Sequence, residues 1–140
     1  MDEAVTSSDS PLLCHRLLSK TEHERWPLVA KCRPHSDLVA SQPLSVAAGP
    51  SGVVQYPAFQ YYASLDREMF VVLRATFRAD GRSDLDLWNF LRTAQKALGG
   101  MTAAEHLIGH HSVEVAQLSK RDRDEVLLEL AHEELWRLQQ

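Results

Sequence analysis

The sequence predicts an all-α, mainly helical protein, with a compact helical block in its C-terminal half and a weaker, loop-rich N-terminal region. Three observations point there. From Asp66 onward, apolar residues recur at three- and four-residue spacing in successive segments separated by short polar turns. Three of those segments follow Ser83, Thr102 and Ser112, residue types whose oxygens accept from the free N–H groups of a helix start. Before residue 52, by contrast, prolines at 34, 43 and 50 and glycines at 49 and 52 interrupt every pattern.

Composition narrows the function classes. The chain has 140 residues, 44% apolar, enough for one domain or for a core domain with a weak arm. A formal net charge of -4 does not favour a nucleic-acid coat, which needs a basic face. Two cysteines, Cys14 and Cys32, are too few for a disulfide scaffold and too far apart for a Cys-x-x-Cys zinc pair. The opening "MDEAVTSSDSP" is acidic and polar, unlike a signal peptide, and no apolar run reaches membrane-span length. A cytoplasmic protein with no membrane partner is the expectation.

Residues 1–10 read as a disordered tail. Residues 11–52 form the N-terminal region. In "PLLCHRLLSKTEHERWPLVAKC", Pro11 suits a first helical turn, Leu13, Leu17 and Leu18 share a face, and Trp26-Pro27 stops the helix. Arg16, Lys20, Arg25, Lys31 and Arg33 are the candidate DNA-binding residues, interleaved with Glu22 and Glu24. A helix-turn-helix built from this stretch is a degenerate one, because Trp26-Pro27 and Pro34 break its pattern.

Next comes "VVQYPAFQYY", Val53 to Tyr62, which holds all three tyrosines. A single strand is expected around Val53 to Tyr56. Pro57 withholds a backbone donor, so the segment reads as an extended, unpaired link that docks on the helical block. Tyr56 and Phe59 close one side of a core, and Gln60 satisfies neighbouring backbone groups.

The helical domain runs over 53–118. Its first helix carries the stripe Met69, Val72, Leu73, Thr76 and Phe77 and ends at Asp80-Gly81. Ser83 with Asp86 opens the second, whose stripe is Leu87, Trp88 and Leu91, with Trp88 in the core. Gly99-Gly100 permits a left-handed turn. Thr102 and Glu105 form a capping box for a short helix that ends at Gly109, and Ser112 caps "VEVAQL". Residues 119–140 add a last amphipathic helix, Asp122 to Gln139, with Leu127 or Leu128, Ala131, Leu135 and Leu138 on its apolar face.

Chemical motifs are scarce. There is no glycine-rich phosphate loop, serine elbow or Cys-x-x-Cys pair. "HLIGHH" places His106, His110 and His111 together, but Gly109 ends the helix between them, so a polar helix end is the plainer reading. No enzyme activity, cofactor or metal is expected. A small metal protein or enzyme using those three histidines is the remaining chemical alternative. The last helix has more apolar area than one packing face requires. Leu128, Leu135, Trp136, Arg137 and Leu138 are therefore the candidate partner-binding residues.

One further pattern involves Tyr56, Pro57, Phe59 and Gln60 of "YPAFQYY", then "VVLRATF", then "DLWNFL" with Trp88, then "QKALGGMTAAEHLIG" with Leu98, Gly99, Gly100, Thr102, Glu105 and Leu107. In order and spacing this resembles the toxin-binding domain of the Xre/MbcA/ParS-like antitoxins, over about half the chain. Gln95 stands where that family has Asn or His, and Ala103 where it has proline. The resemblance implies an antitoxin of a type II toxin-antitoxin module that binds and occludes a cognate toxin, often of the RES-domain type. It also implies a homodimer, and repression of its own operon through operator DNA bound by the N-terminal half. A DNA-binding transcriptional regulator is the alternative within the same frame. The additional helix after residue 119 extends beyond the family's usual end.

Overall fold

Val53–Pro57 is the central strand of a three-stranded antiparallel sheet. The computed structural model describes residues 14–25, 43–48 and 52–140. The chain divides into two units, Met1–Leu65 and Asp66–Gln140. Val53–Pro57 pairs with strands from the N-terminal residues and so falls in the first of these units.

In the first unit the order is β1 (Leu17–Leu18), α1 (Lys20–Arg25), β2 (Val46–Ala48), β3 (Val53–Pro57) and a 3-10 turn, Ala58–Tyr61. The sheet order is β1-β3-β2, with Leu18 opposite Tyr56 and Ala47 opposite Val54. This corrects two expectations. Leu17 and Leu18 do not share a helix face. Ser19 and Glu22 cap each other, Glu22 N–H to Ser19 Oγ at 3.1 Å and Ser19 N–H to Glu22 Oε1 at 3.0 Å, so the helix starts only at Lys20. The two leucines before that cap are left extended, free to pair with β3. Nor is the segment around Pro57 an unpaired link. Pro57 closes β3, and the next N–H, of Ala58, donates to Arg16 O at 2.8 Å, so the missing donor interrupts nothing.

Gln60 does satisfy backbone groups. It accepts from Leu44 N–H at 2.8 Å, returns a hydrogen bond to Leu44 O at 2.8 Å, and donates to Pro57 O at 3.0 Å. Phe59, Tyr61 and Tyr62 around it are buried. The expected disordered tail and the stretch holding Trp26-Pro27 and Pro34 lie outside the described residues.

The second unit is entirely helical apart from an isolated bridge between Ala94 and Thr102. Its order is α2 (Arg67–Ala79), α3 (Asp84–Leu91), a 3-10 turn (Lys96–Leu98), α4 (Ala103–Leu107), α5 (Val113–Ala116) and α6 (Lys120–Leu138). Asp66 caps α2 by accepting from Met69 N–H at 3.2 Å. Ser83, Ser112 and Ser119 cap α3, α5 and α6 in the same way. Thr102 and Glu105 form a complete capping box, Thr102 N–H to Glu105 Oε1 at 2.8 Å and Glu105 N–H to Thr102 Oγ1 at 3.1 Å. The Ser83–Asp86 pair makes only the forward bond, from Asp86 N–H to Ser83 Oγ at 3.1 Å.

The buried face of α2 is Met69, Phe70, Leu73, Arg74 and Phe77. Val72, expected inside, is 43% exposed. The helix is rotated so that the larger Phe70 is covered, and Phe77 meets Phe90 of α3 with ring centroids 5.6 Å apart. Arg74 follows Phe70 inward, its guanidinium 5.6 Å from the Phe70 ring centroid and 3.7 Å from Asp84. Trp88 is 2% exposed, as its stripe predicted, with Leu87, Phe90 and Leu91 buried beside it.

Helices α2 and α6 run parallel. At their starts Lys120 Nζ lies 2.8 Å from Asp66 Oδ2, and past their ends Gln139 Nε2 donates to Asp80 Oδ1 at 3.0 Å. Among the described residues, no helix is long and apolar enough to cross a membrane.

Candidate functional site

Helix α6 has its inner face fully occupied. Leu127, Ala131 and Leu135, four residues apart, are buried. At 100° per residue, Asp122, Glu129, Glu133 and Trp136 fall on the opposite side, along about 21 Å of helix. Trp136 is 66% exposed. An indole of that size left in water on a helix whose packing is already complete is the clearest unexplained apolar surface in this unit.

The charges along α6 are unevenly matched. Lys120 is held at 2.8 Å by both Asp66 and Asp124. Arg121 lies 3.7 Å from Glu125. Arg123 donates to Leu118 O at 2.6 Å, and Arg137 grips Glu134 through Nη2 at 2.7 Å to each carboxylate oxygen. That bidentate bond raises the Arg137 guanidinium pKa further above its usual range. The helix's lysine and arginines are therefore all occupied, whereas among the described residues neither Glu129 nor Glu133 forms an ion pair. The surface presented outward is acidic and ends in an aromatic ring.

Of the residues that the sequence marks for partner binding, Trp136 and Arg137 are exposed, and Leu128 and Leu138 are half-buried. Leu135 is 6% exposed and belongs to the core, because it follows Leu127 and Ala131 at four-residue steps. Glu129 and Glu133 are exposed and stand beside Trp136 on the outer stripe.

The other marked residues are spread over both units. Tyr56, Pro57, Phe59 and Gln60 belong to the sheet unit. Trp88, Leu98, Gly99, Gly100, Thr102, Glu105 and Leu107 belong to the helical unit, where Gly99 and Gly100 take the left-handed conformations expected of them, φ 72° and 87°. Arg16 is exposed and paired with Glu22, and Lys20 is exposed at the start of α1. The Ser19 backbone N–H first, and the Arg16 guanidinium second, hold the Glu22 carboxyl below its usual pKa. The Arg25 side chain, Lys31 and Arg33 lie outside the described residues.

The histidines separate. His110 is exposed, while His106 is buried and its ring meets that of His111 edge to face, centroids 4.5 Å apart. Among the described residues no group of three or more His, Cys, Asp or Glu side chains is arranged to hold a metal ion. The ring contact, the Lys120–Asp66 pair and the Gln60–Leu44 pair escape sequence reasoning. Two of these join distant residues: Gln60 is marked by its sequence as a backbone partner, but nothing local points it to Leu44 or pairs Lys120 with Asp66. No family model, curated protein or solved structure matches this chain.

Proposed function

We propose that this chain is an antitoxin-type protein that binds a toxin protein through the outer face of α6 and neutralises it by occlusion. The observation that carries the reading is Trp136, 66% exposed on a helix whose inner face is already filled. Tryptophan is the residue most enriched among binding hot spots, and an aromatic anchor needs a partner's pocket to be desolvated. The uncompensated Glu129 and Glu133 beside it suit a basic toxin surface and steer its approach. They also disfavour pairing of this stripe with a second copy of itself, so a homodimer would use another face. The resemblance of the segment 53–118 to toxin-binding domains supplies the functional class. In this reading the protein performs no chemistry.

The test is co-expression with the product of the adjacent gene. Growth arrest by that product alone, relieved by this chain, and loss of relief with Trp136→Ala at an unchanged melting temperature, is the expected result. Undiminished complex formation by Trp136→Ala and Glu129→Lys/Glu133→Lys variants would remove α6 from the interface.

A further inference from the structure

We propose that the His106–His111 ring pair is a proton-operated joint: while both imidazoles are neutral it holds the start of α6 in place, and charging them frees that end of the helix. His106 sits on α4, 6% exposed, with His111 in the loop before α5 closing over it. That loop is held from its other side as well. Ser112 lies so near Gly99 that a Cβ built there would come within 2.4 Å of it. Ser112 starts α5, and Leu118 O just beyond α5 accepts from Arg123 of α6. The loop, α5 and the first turn of α6 are thus one continuous run of contacts anchored on the two rings.

The surrounding charges set the sign. From α6 come Lys120, Arg123 and Asp124, from the start of α2 Asp66, and from the loop His110. Asp66 and Asp124 both hold Lys120 at 2.8 Å, so the attraction they offer an imidazolium is shared with that ammonium. Glu105, next to His106 on α4, is committed to the Thr102 N–H. Arg123 opposes a positive charge on either ring. Burial opposes it most. It pushes His106 down to about 4, with His111 and Arg123 adding to the effect and Asp124 and Asp66 pulling the other way. His111 is lowered too, by burial, then Arg123, then His110. Its Nδ1 is buried without a hydrogen-bond partner among the described residues, so a proton placed there meets no acceptor from them. Two charged rings at this separation repel, and the loop is the element that can yield.

Because α6 carries Trp136, the joint would regulate the face proposed above, and its biological weight rests on that reading. Hydrogen exchange reads the joint without any partner, so the two can fail separately. On the full chain, amide exchange corrected for its intrinsic pH dependence is compared at about pH 7 and about pH 3.5. Residues 110–124 are expected to exchange about tenfold faster or more at the lower pH, while α2 and α3 stay protected. His111→Phe keeps an aromatic edge and removes one charge, so release should move to lower pH. An imidazole NMR titration of the unaltered chain should show His106 still neutral below about pH 5. Unchanged exchange over residues 110–124, opening of the whole unit together, release of His111→Phe at the original pH, or titration of His106 near its ordinary value would each overturn the joint.

Discussion

Gln60 binds Leu44 as a strand neighbour would, taking its N–H and capping its carbonyl, each at 2.8 Å. One buried side-chain amide replaces a rung of backbone pairing and adds a third bond to Pro57 O at 3.0 Å. Removing it leaves both Leu44 backbone groups without their partner. Gln60→Leu is expected to cost about 2–4 kcal/mol, read from urea unfolding, since each orphaned buried group costs about 1–3 kcal/mol. Gln60→Glu should be no milder, because a carboxylate accepts but cannot donate to Leu44 O. A loss below about 0.5 kcal/mol for both would mean these bonds are made with water at no penalty.

Gly99 and Gly100 should answer alanine differently. Both have positive φ, 72° and 87°, which strains any side chain by about 1 kcal/mol. Only at Gly99 would the new Cβ collide, 2.4 Å from Ser112 Cβ and Oγ. Gly99→Ala is therefore expected to lower the melting temperature clearly more than Gly100→Ala. Equal shifts would show that Ser112 moves aside freely.

The two described tryptophans should also separate. Trp88→Ala removes a fully buried indole and is expected to cost about 3–5 kcal/mol. Trp136→Ala should change stability by less than about 0.5 kcal/mol and weaken partner binding instead. Similar thermal losses for both would return Trp136 to the core.

Stability should fall on mild acidification, and the sign follows from His106. Its folded pKa is lowered from 6.5 to about 4, so the unfolded chain binds the proton first. The contribution is fully present above about pH 6.5, is lost progressively as pH falls, and levels off below about pH 4, a total of about 2–3 kcal/mol. Denaturant midpoints measured across that range check it. His106→Gln should flatten the slope, and a slope that survives the substitution would assign it to other groups.

Much of the helical unit is legible in the sequence because its signals are local. Asp66, Ser83, Thr102 and Ser112 are each followed three residues later by the N–H they accept from, and Gly99, Gly100 and Gly109 mark the turns. The α2 stripe is legible only to within a rotation. Met69, Leu73 and Phe77 fit either face, and the choice between Val72 and Phe70 is a tertiary one: Phe70 is buried and Val72 is left exposed. The sheet is illegible for a related reason. Leu17–Leu18 is two residues long and its partner lies some forty positions on, so no local periodicity announces it. On α6, apolar content marks the helix as a partner-binding candidate, but which residues turn outward depends on where α2 lies, and Leu135 goes in while Trp136 stays out.

The parallel pairing of α2 with α6 bears on how the protein is made. Asp66 finds Lys120, and Asp80 finds Gln139, across 54 and 59 intervening steps of chain. As the ribosome delivers the polypeptide, α2 emerges long before the helix that covers it, and its greasy side must wait. The surface carrying Trp136 lies on the same helix whose docking covers α2, so the outer face of α6 takes up its position in the step that closes the unit.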